Sequence, residues 1–419
     1  MKFMIKMGRN RVLVVGGGVQ HSYAIQILKE YGLYVILADY TQNPIGKQYV
    51  DKHIQENAFD IVTLERIAVE EKIDLIINIC FDLAMPAVAF VSEKLGLPAP
   101  FSYEQSLNNT DKMRMKGIFM RNNIPTANYC VVENCLSIPD TLSFPIVVKP
   151  ADSSGSRGIS KVNSVYDCNK AIQSALSQSK QRKVILEEFI AGKEYQIDCI
   201  VDKGITRIVL AKQKLRFFEE EVVSPAGSFV IPDDQNTLLG EENELAKKLA
   251  EAFGIKNGAF FFQCIEKDGT LYVIEVGVRV GGGLSYKMIR DIKGVDLVKL
   301  EVDSWLGKNL EYSIKSNNDF YLSNAIFSTR HCSVKCIKGL EELCESHIVD
   351  CFDVYTNNEM IVDGRITNKN RLALYLTHAS SLEKLKTNFQ EIINNVVIVE
   401  ENGETHFDNR LYQSLLGKF

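Results

Sequence analysis

Glu275-Val-Gly-Val-Arg279-Val-Gly-Gly-Gly283 closes the apolar run Leu271-Tyr-Val-Ile274. Side chains alternate across a strand with period two, so residues 275, 277 and 279 point to one face. Glu275 and Arg279 are therefore expected to look into one cavity. A hard cation such as Mg²⁺ takes carboxylate oxygens, and a guanidinium pairs bidentately with phosphate. The stretch reads as a corner built for phosphate and metal; a surface ion pair followed by a glycine turn is the plainer alternative.

The run just before it, Gly258-Ala-Phe-Phe-Phe-Gln263-Cys-Ile-Glu-Lys-Asp268-Gly269-Thr, supports the first reading. Asp268-Gly269 between two apolar runs is a strong hairpin signal. Gln263 and Glu275 flank that turn and can stand on neighbouring strands facing one site.

Two further runs carry chemistry. In Phe144-Pro-Ile-Val-Val-Lys149-Pro-Ala-Asp-Ser153-Ser154-Gly155-Ser156-Arg-Gly158, Lys149 ends an apolar strand, and its ammonium is expected to project from a sheet edge. The Ser/Gly segment after it offers backbone N–H groups and hydroxyls suited to phosphate oxygens. It is not a Walker loop, because the lysine precedes the glycines, and an ordinary hairpin fits equally. In Val184-Ile-Leu-Glu187-Glu188-Phe189-Ile190-Ala-Gly-Lys-Glu194-Tyr-Gln-Ile-Asp198, an apolar pair between acids could offer its backbone to an adenine edge and Glu194 to ribose hydroxyls. The alternative there is an edge-strand charge pattern.

Composition sets the frame. The 419 residues are 46% hydrophobic with a net charge of −5, which supports more than one sizeable core and argues against a nucleic-acid partner. No apolar stretch approaches the roughly 18 residues of a membrane span, and no signal-peptide region is evident, so a cytoplasmic protein is expected. The 10 cysteines are scattered. One cluster, His331, Cys332, Cys336, Cys344, His347 and Cys351, lacks the paired spacing of a zinc site.

At the N-terminus, Arg11-Val-Leu-Val-Val15 and Tyr34-Val-Ile-Leu-Ala38 read as strands with a helix from Ser22 to Tyr31 between them. A helix from Leu64 to Lys72, a strand from Asp74 to Asn78 and a helix from Met85 to Leu95 follow. This alternation implies parallel βαβ units. Gly16-x-Gly18 supplies two glycines of a dinucleotide fingerprint, but His21 takes the third place, so a tight βα turn is the better reading. Asp111 to Arg121 reads as an amphipathic helix, and strands are expected at 145–149, 183–188, 195–201, 206–211, 259–265 and 271–276. The acidic stretch Glu219 to Gly227 is expected to be a mobile loop, either near substrate or simply solvated. Asn317-Asn-Asp319 is a polar break, and a helix is expected from Ser381 to Asn394.

Asp111-Lys112, Lys149-Pro with its Ser/Gly loop, Glu187-Glu188 with Glu194, Gln263 and Glu275-x-Gly-x-Arg279-x-Gly-Gly, in this order, resemble the ATP-grasp superfamily over roughly residues 111–290. The resemblance implies three parts: an N-terminal open parallel α/β domain (1–110), a two-lobed α+β nucleotide-binding and catalytic domain (111–315, smaller lobe about 120–190) and a small C-terminal α+β domain (316–419). It implies that ATP lies between the lobes. Lys112 and Lys149 would meet its phosphates; Glu187, Glu188, Phe189 and Ile190 its adenine; and Glu194 its ribose. Ser153, Ser154, Gly155, Ser156 and Gly158 would close over the phosphates. Glu275 and Gln263 would hold Mg²⁺, with Mn²⁺ as an alternative, and Arg279, Lys149 and Glu275 would carry catalysis.

Two positions depart from the commonest pattern. Gln263 stands where many members have an acidic ligand, and Gly277 where many have asparagine. Glu-x-Gly-x-Arg resembles a variant in the L-amino-acid and dipeptide ligase branch, as do, more loosely, Gly294-Val-Asp296 and Cys336-Ile-Lys-Gly-Leu-Glu341. The resemblance implies an ATP-dependent carboxylate–amine ligase acting on a small-molecule carboxylate and an amine, with a homodimer as the ordinary prior. A bicarbonate-using carboxylase and a non-catalytic ATP binder are the alternatives.

Overall fold

The structure is a computed structural model and describes residues 10–133, 141–152, 158–219, 222–236, 238, 240–356 and 360–419. Four short strands form a parallel sheet in the order Lys52–Ile54, Tyr34–Ala38, Arg11–Val15, Leu75–Ile77. The two central ones are runs of β-branched and apolar residues, and Val12 to Val15 and Val35 to Leu37 are wholly buried, as a sheet covered on both faces requires. Helices Val19–Glu30 and Ile61–Glu70 connect strands of this sheet, and helix Met85–Leu95 follows the last of them. This is the open α/β arrangement expected from the alternation.

The glycine turn after Val15 is filled by the protein's own groups. Asp39 Oδ2 accepts from the Gly17 N–H at 2.7 Å, and Pro44 packs against Gly17 so closely that a Cβ there would lie 2.6 Å from its own. His21 is buried beneath Gly16, and desolvation pushes its imidazole down to about 4 against a small opposing effect of Asp39. The turn packs helix on strand, as the tight βα reading had it.

A second unit is antiparallel, in the order Tyr129–Val132, Val184–Glu188, Ile146–Pro150, Ser160–Val162, covered by helix Val165–Gln178. It has a core of its own, built from Ile146, Val148, Cys168, Ile172, Val184 and Leu186. The sheet order corrects one expectation. Strands 146–150 and 184–188 are interior, so Lys149 does not project from an edge, and Glu187 is no part of an edge-strand charge pattern. Both side chains are buried.

The largest sheet has eight antiparallel strands in the order Thr270–Gly277, Gly258–Lys267, Lys193–Asp202, Ile205–Glu219, Val222–Val230, Phe320–Phe327, Arg371–Ala379, Cys351–Val354. Three of these strands come from beyond the Asn317–Asp319 break, so the polar break does not interrupt the sheet. A four-stranded sheet, in the order Met360–Asp363, His331–Lys338, Val397–Glu400, Thr405–His406, completes this end with helix Leu382–Asn395. The acidic stretch expected as a mobile loop is mostly strand. Residues 222–230 pair with 213–219 on one side, and 227–230 with 321–324 on the other.

The cysteines and histidines from His331 to Cys351, whose spacing argues against a zinc site, do not form one ligand group among the described residues. Among the described residues, the only group with metal-ligand geometry is Cys332, Glu400 and His406, which shares just Cys332 with them. His406 is already engaged there, with Glu400 at 3.0 Å and Ser328 Oγ at 2.8 Å. No helix among the described residues is long and apolar enough to cross a membrane.

Candidate active site

A cleft of about 170 Å³ separates the smaller antiparallel unit from the edge of the eight-stranded sheet. Lys112 lines it from the first turn of helix Lys112–Arg121, whose N-cap is Asp111: its Oδ1 accepts from the N–H groups of Met113 and Arg114 at 2.9 and 3.2 Å. One turn later on the same helix, Lys116 enters the cleft as well. Sequence reasoning passed over it as part of an amphipathic face. Its side chain is 2% exposed, and it forms an ion pair with Glu187 Oε1 at 2.9 Å; Lys149 meets the same oxygen at 2.7 Å.

This Lys116–Glu187–Lys149 cluster defines the floor of the cleft. Burial alone would raise the Glu187 carboxyl, but the Lys149 and Lys116 charges override it and hold it at about 2. Desolvation pushes Lys116 down to about 8, although Glu187 works the other way. Lys116 Nζ also donates to Thr126 Oγ1 at 2.5 Å, and Thr126 donates to Val273 O at 2.7 Å. A buried network thus ties helix 112–121, the smaller unit and the hairpin of strands Gly258–Lys267 and Thr270–Gly277 together.

Glu188, Phe189 and Ile190 also line the cleft, but their groups are not equally available. The Glu188 carboxylate accepts from Asn128 Nδ2 at 2.8 Å and from the Ser143 N–H at 2.9 Å. The backbone N–H groups of Glu188 and Phe189 donate to Asn128 O and Pro145 O. Lys161 Nζ lies 3.9 Å over the Phe189 ring. The Glu188 carboxylate is therefore engaged with Asn128 and Ser143. Glu194 faces the cleft in a bidentate pair with Arg216, whose Nε lies 2.9 Å from Oε2. Arg216 stands on strand Ile205–Glu219, and no motif in the sequence marks it. Gly158 ends the Ser/Gly loop at φ +71°, pressed against Pro150 and Gln178; Ser153, Ser154, Gly155 and Ser156 lie outside the described residues.

The opening stretch forms the far wall. Gln263 and Glu275 are direct partners across the Asp268-Gly269 hairpin, and both side chains face the cleft. Asp268 and Gly269 take φ +51° and +79°, as a tight hairpin turn requires. Arg279 lies past the strand's end. Its Nε and Nη2 lie 2.5 Å from the two oxygens of Asp82, and its guanidinium stacks 5.1 Å over the Phe261 ring. Asp82 comes from the N-terminal α/β unit, and no motif in the sequence marks it.

Phe261 also accounts for Gly277. A Cβ at 277 would lie 2.5 Å from the Phe261 ring, so the space where an asparagine side chain would stand is occupied by the aromatic that supports Arg279. We expect Gly277→Asn to lower stability by about 1–3 kcal/mol through overpacking. Phe261→Ala, damaging alone, should partly rescue it in the double variant. Thermal unfolding of the four proteins tests this, and strictly additive losses would refute the steric account.

Behind the glycines sits a second buried network. Lys212 and Asp198 pair at 2.6 Å with side chains 2% and 1% exposed, and Gln196 donates to Asp198 at 2.9 Å. A Cβ on Gly281 would lie 2.8 Å from Gln196 Nε2, so glycine is needed for this close approach. Gln20, on the first helix, donates to the carbonyls of Gly281 and Gly283 at 2.8 and 3.0 Å and pins the turn from the N-terminal side. A second cavity, of about 470 Å³, opens beyond, lined by Lys212, Lys214, Arg279 and Arg371. It shares Arg216, Gln263 and Glu275 with the cleft.

The family model of the ATP-grasp domain matches residues 142–287. A carbamoyl phosphate synthase large chain from Clostridium botulinum is 25% identical over 330 residues, covering 72% of this chain but 30% of that protein. The chain thus spans less than a third of this curated relative. Among solved structures, an L-amino acid ligase from Bacillus licheniformis superposes with a TM-score of 0.79 at 20% identity, covering 95% of this chain and all of that one. An N5-carboxyaminoimidazole synthetase from Staphylococcus aureus, solved with ADP, gives a TM-score of 0.71 at 14% identity over 93% of this chain and 98% of its own. The domain match and the shared architecture agree: the chain carries an ATP-grasp domain over residues 142–287 and has the overall fold of these solved structures.

Proposed function

We propose that this protein is an ATP-dependent carboxylate–amine ligase. The observation that carries the reading is the shared wall: Arg216, Gln263 and Glu275 line both the cleft and the larger cavity. A nucleotide in the cleft would direct its terminal phosphate at an acid held in the cavity beyond. A carboxylate oxygen of the acid attacks the γ-phosphorus, the bond to the β-phosphate oxygen breaks, and ADP leaves. The amine nitrogen then attacks the acyl carbon, phosphate departs with the C–O bonding pair, and the amine's proton goes to solvent or phosphate. Catalysis of this kind is mostly positioning and charge stabilisation, which suits a site rich in fixed cations.

In this reading Lys112, Lys116 and Lys149 face the phosphates. With the N–H groups of Glu188 and Phe189 engaged, the backbone of Ile190 is left for the adenine edge, and Glu194 serves the ribose. The donor set fits Mg²⁺: Glu275 and Gln263, cross-strand partners lining the same cleft, would hold it through a carboxylate and an amide oxygen. When bound, the cation would neutralise charge on the transferring phosphoryl group.

The deciding experiment is an ADP-release screen over pairs of amino acids and small carboxylates, with mass spectrometry of products. ADP should appear only with an acid present, and a condensed amide should appear when an amine is added. Release that depends on bicarbonate and ignores amines would replace the ligase with a carboxylase. One observation favours a third reading, an ATP binder without turnover: Phe261 fills the place of a second metal ligand at 277. ATP binding with no ADP from any mixture would establish that reading instead.

A further inference from the structure

The larger cavity holds more positive charge than its own carboxylates balance. Lys212, Lys214 and Arg216 alternate along strand Ile205–Glu219 and face it together. Two of these cations are matched, Lys212 by Asp198 and Arg216 by Glu194, and Arg279 is matched by Asp82. Lys214 is not. Its one hydrogen bond goes to Ser228 Oγ at 3.3 Å, and among the described residues no carboxylate lies within ion-pair distance.

Arg371, the first residue of strand Arg371–Ala379, is the second cation here without an ion pair among the described residues. It stacks 4.7 Å over the Tyr355 ring, and its Nε is buried with no hydrogen-bond partner. Its Nη1 reaches the glycine turn, 3.9 Å from where a Gly283 side chain would begin. Around these cations the wall offers hydroxyls. Lys214, Ser228 and Ser323 lie in one row across three adjacent strands, and all three line the cavity. Burial, with Arg216 and Lys212 adding to it, pushes the Lys214 ammonium down to about 7, although Glu194 and Asp198 oppose the shift. An ammonium and a guanidinium held this way are costly unless an anion arrives to meet them.

We propose that Lys214 and Arg371, with the hydroxyls of Ser228 and Ser323, form a subsite for a second anionic group on the acid substrate. The acid is then a dicarboxylate or a phosphorylated acid rather than a simple monocarboxylate. One of its anions goes to the shared wall, where it reacts, and the other to Lys214 and Arg371, which fix the distance between the two. This inference rests on the ligase reading for the word substrate, but the anion subsite can be measured without it.

The test is calorimetric binding to the full chain saturated with MgADP, using two matched pairs: succinate against butyrate, and O-phospho-L-serine against L-serine. At least one doubly anionic probe should bind about 10–100-fold tighter than its partner, as expected for charged hydrogen bonds. Preference in the succinate pair marks a dicarboxylate, and preference in the phosphoserine pair a phosphorylated acid. Lys214→Met and Arg371→Met should each erase most of that preference with ADP affinity unchanged, which also shows that the variants are folded. No preference in either pair, or a preference that survives both substitutions, overturns the subsite. ADP release measured on the same samples separates the two claims. Preference without turnover keeps the subsite and removes the ligase; turnover without preference does the reverse.

Discussion

Arg279→Ala is expected to lower acid-dependent ADP release about 10²–10³-fold, the usual effect of losing one charged donor to a developing anion. ATP binding should stay nearly unchanged, because Arg279 lines the larger cavity and not the cleft. The guanidinium has five N–H groups. Nε and Nη2 use one each on Asp82, and Nη1 uses one on Val280 O at 2.9 Å. One N–H on each terminal nitrogen remains for an acyl phosphate or a tetrahedral oxyanion. Asp82 is thus a positioning residue, and Asp82→Asn should cost less than Arg279→Ala because the cation stays but its fork is held by weaker bonds. Arg279→Lys should behave more like alanine than a conserved charge suggests, since lysine cannot stack on Phe261 and span Asp82 with the same planar fork. Steady-state ADP release, with nucleotide titration as the control, decides the matter. Equal losses of nucleotide binding and turnover in Arg279→Ala would end this role for the residue.

Three of the cleft residues were legible because they stand near strand ends, which local sequence marks. Lys149, Glu187 and Glu275 close apolar runs, and Asp268-Gly269 fixes the register that sets Gln263 opposite Glu275. What the sequence hid was long-range pairing. Asp82 is 197 positions from Arg279, and Gln20 is 261 from the carbonyl of Gly281 that it holds. Neither has a local pattern, since a lone acid or amide near a helix start looks like any surface residue. Lys149 was misplaced for a related reason: strand order is a tertiary fact, and an isolated apolar run does not say whether it ends up central or at an edge. Lys116 was hidden by chemistry. Lysines on amphipathic helices usually face water, and only the arrival of Glu187 from another unit makes its burial tolerable.

Gly277 shows how a departure from a family pattern becomes intelligible once packing is known. Read along the chain, it is a missing ligand. In three dimensions it is the consequence of Phe261, which fills the position and carries Arg279 on its face. Position 277 and the guanidinium are therefore coupled through one aromatic ring. A side chain at 277 would displace that ring, which leaves Glu275 as the one carboxylate this strand offers to the proposed metal site.

Glu187→Gln should be the most damaging single change to stability, about 3–5 kcal/mol, because it leaves two nearly buried ammoniums side by side with no counter-charge. Lys116 and Lys149 are 2% and 5% exposed, so solvent screens them little. Lys116 comes from a helix packed on the main body, whereas Lys149 and Glu187 belong to the smaller unit, so the loss should loosen the join between them. Hydrogen exchange at 146–150 and 184–188 should rise first. The pH dependence follows from the direction of each shift. In the wild type, Glu187 is held below its ordinary value of 4.5, at about 2, so its stabilisation is complete above pH 4.5 and fades as pH falls toward 2. The variant lacks that acid limb. Without the carboxylate, Lys116 should release its proton below the value of about 8 it has now, so the folded variant binds fewer protons than the unfolded chain and gains stability as pH rises. MgATP supplies the final discrimination. If both lysines face the phosphates, bound nucleotide replaces the missing negative charge, and saturating MgATP should raise the variant's melting temperature by more than the wild type's. Equal shifts would mean that the cluster is a structural staple set away from the phosphates.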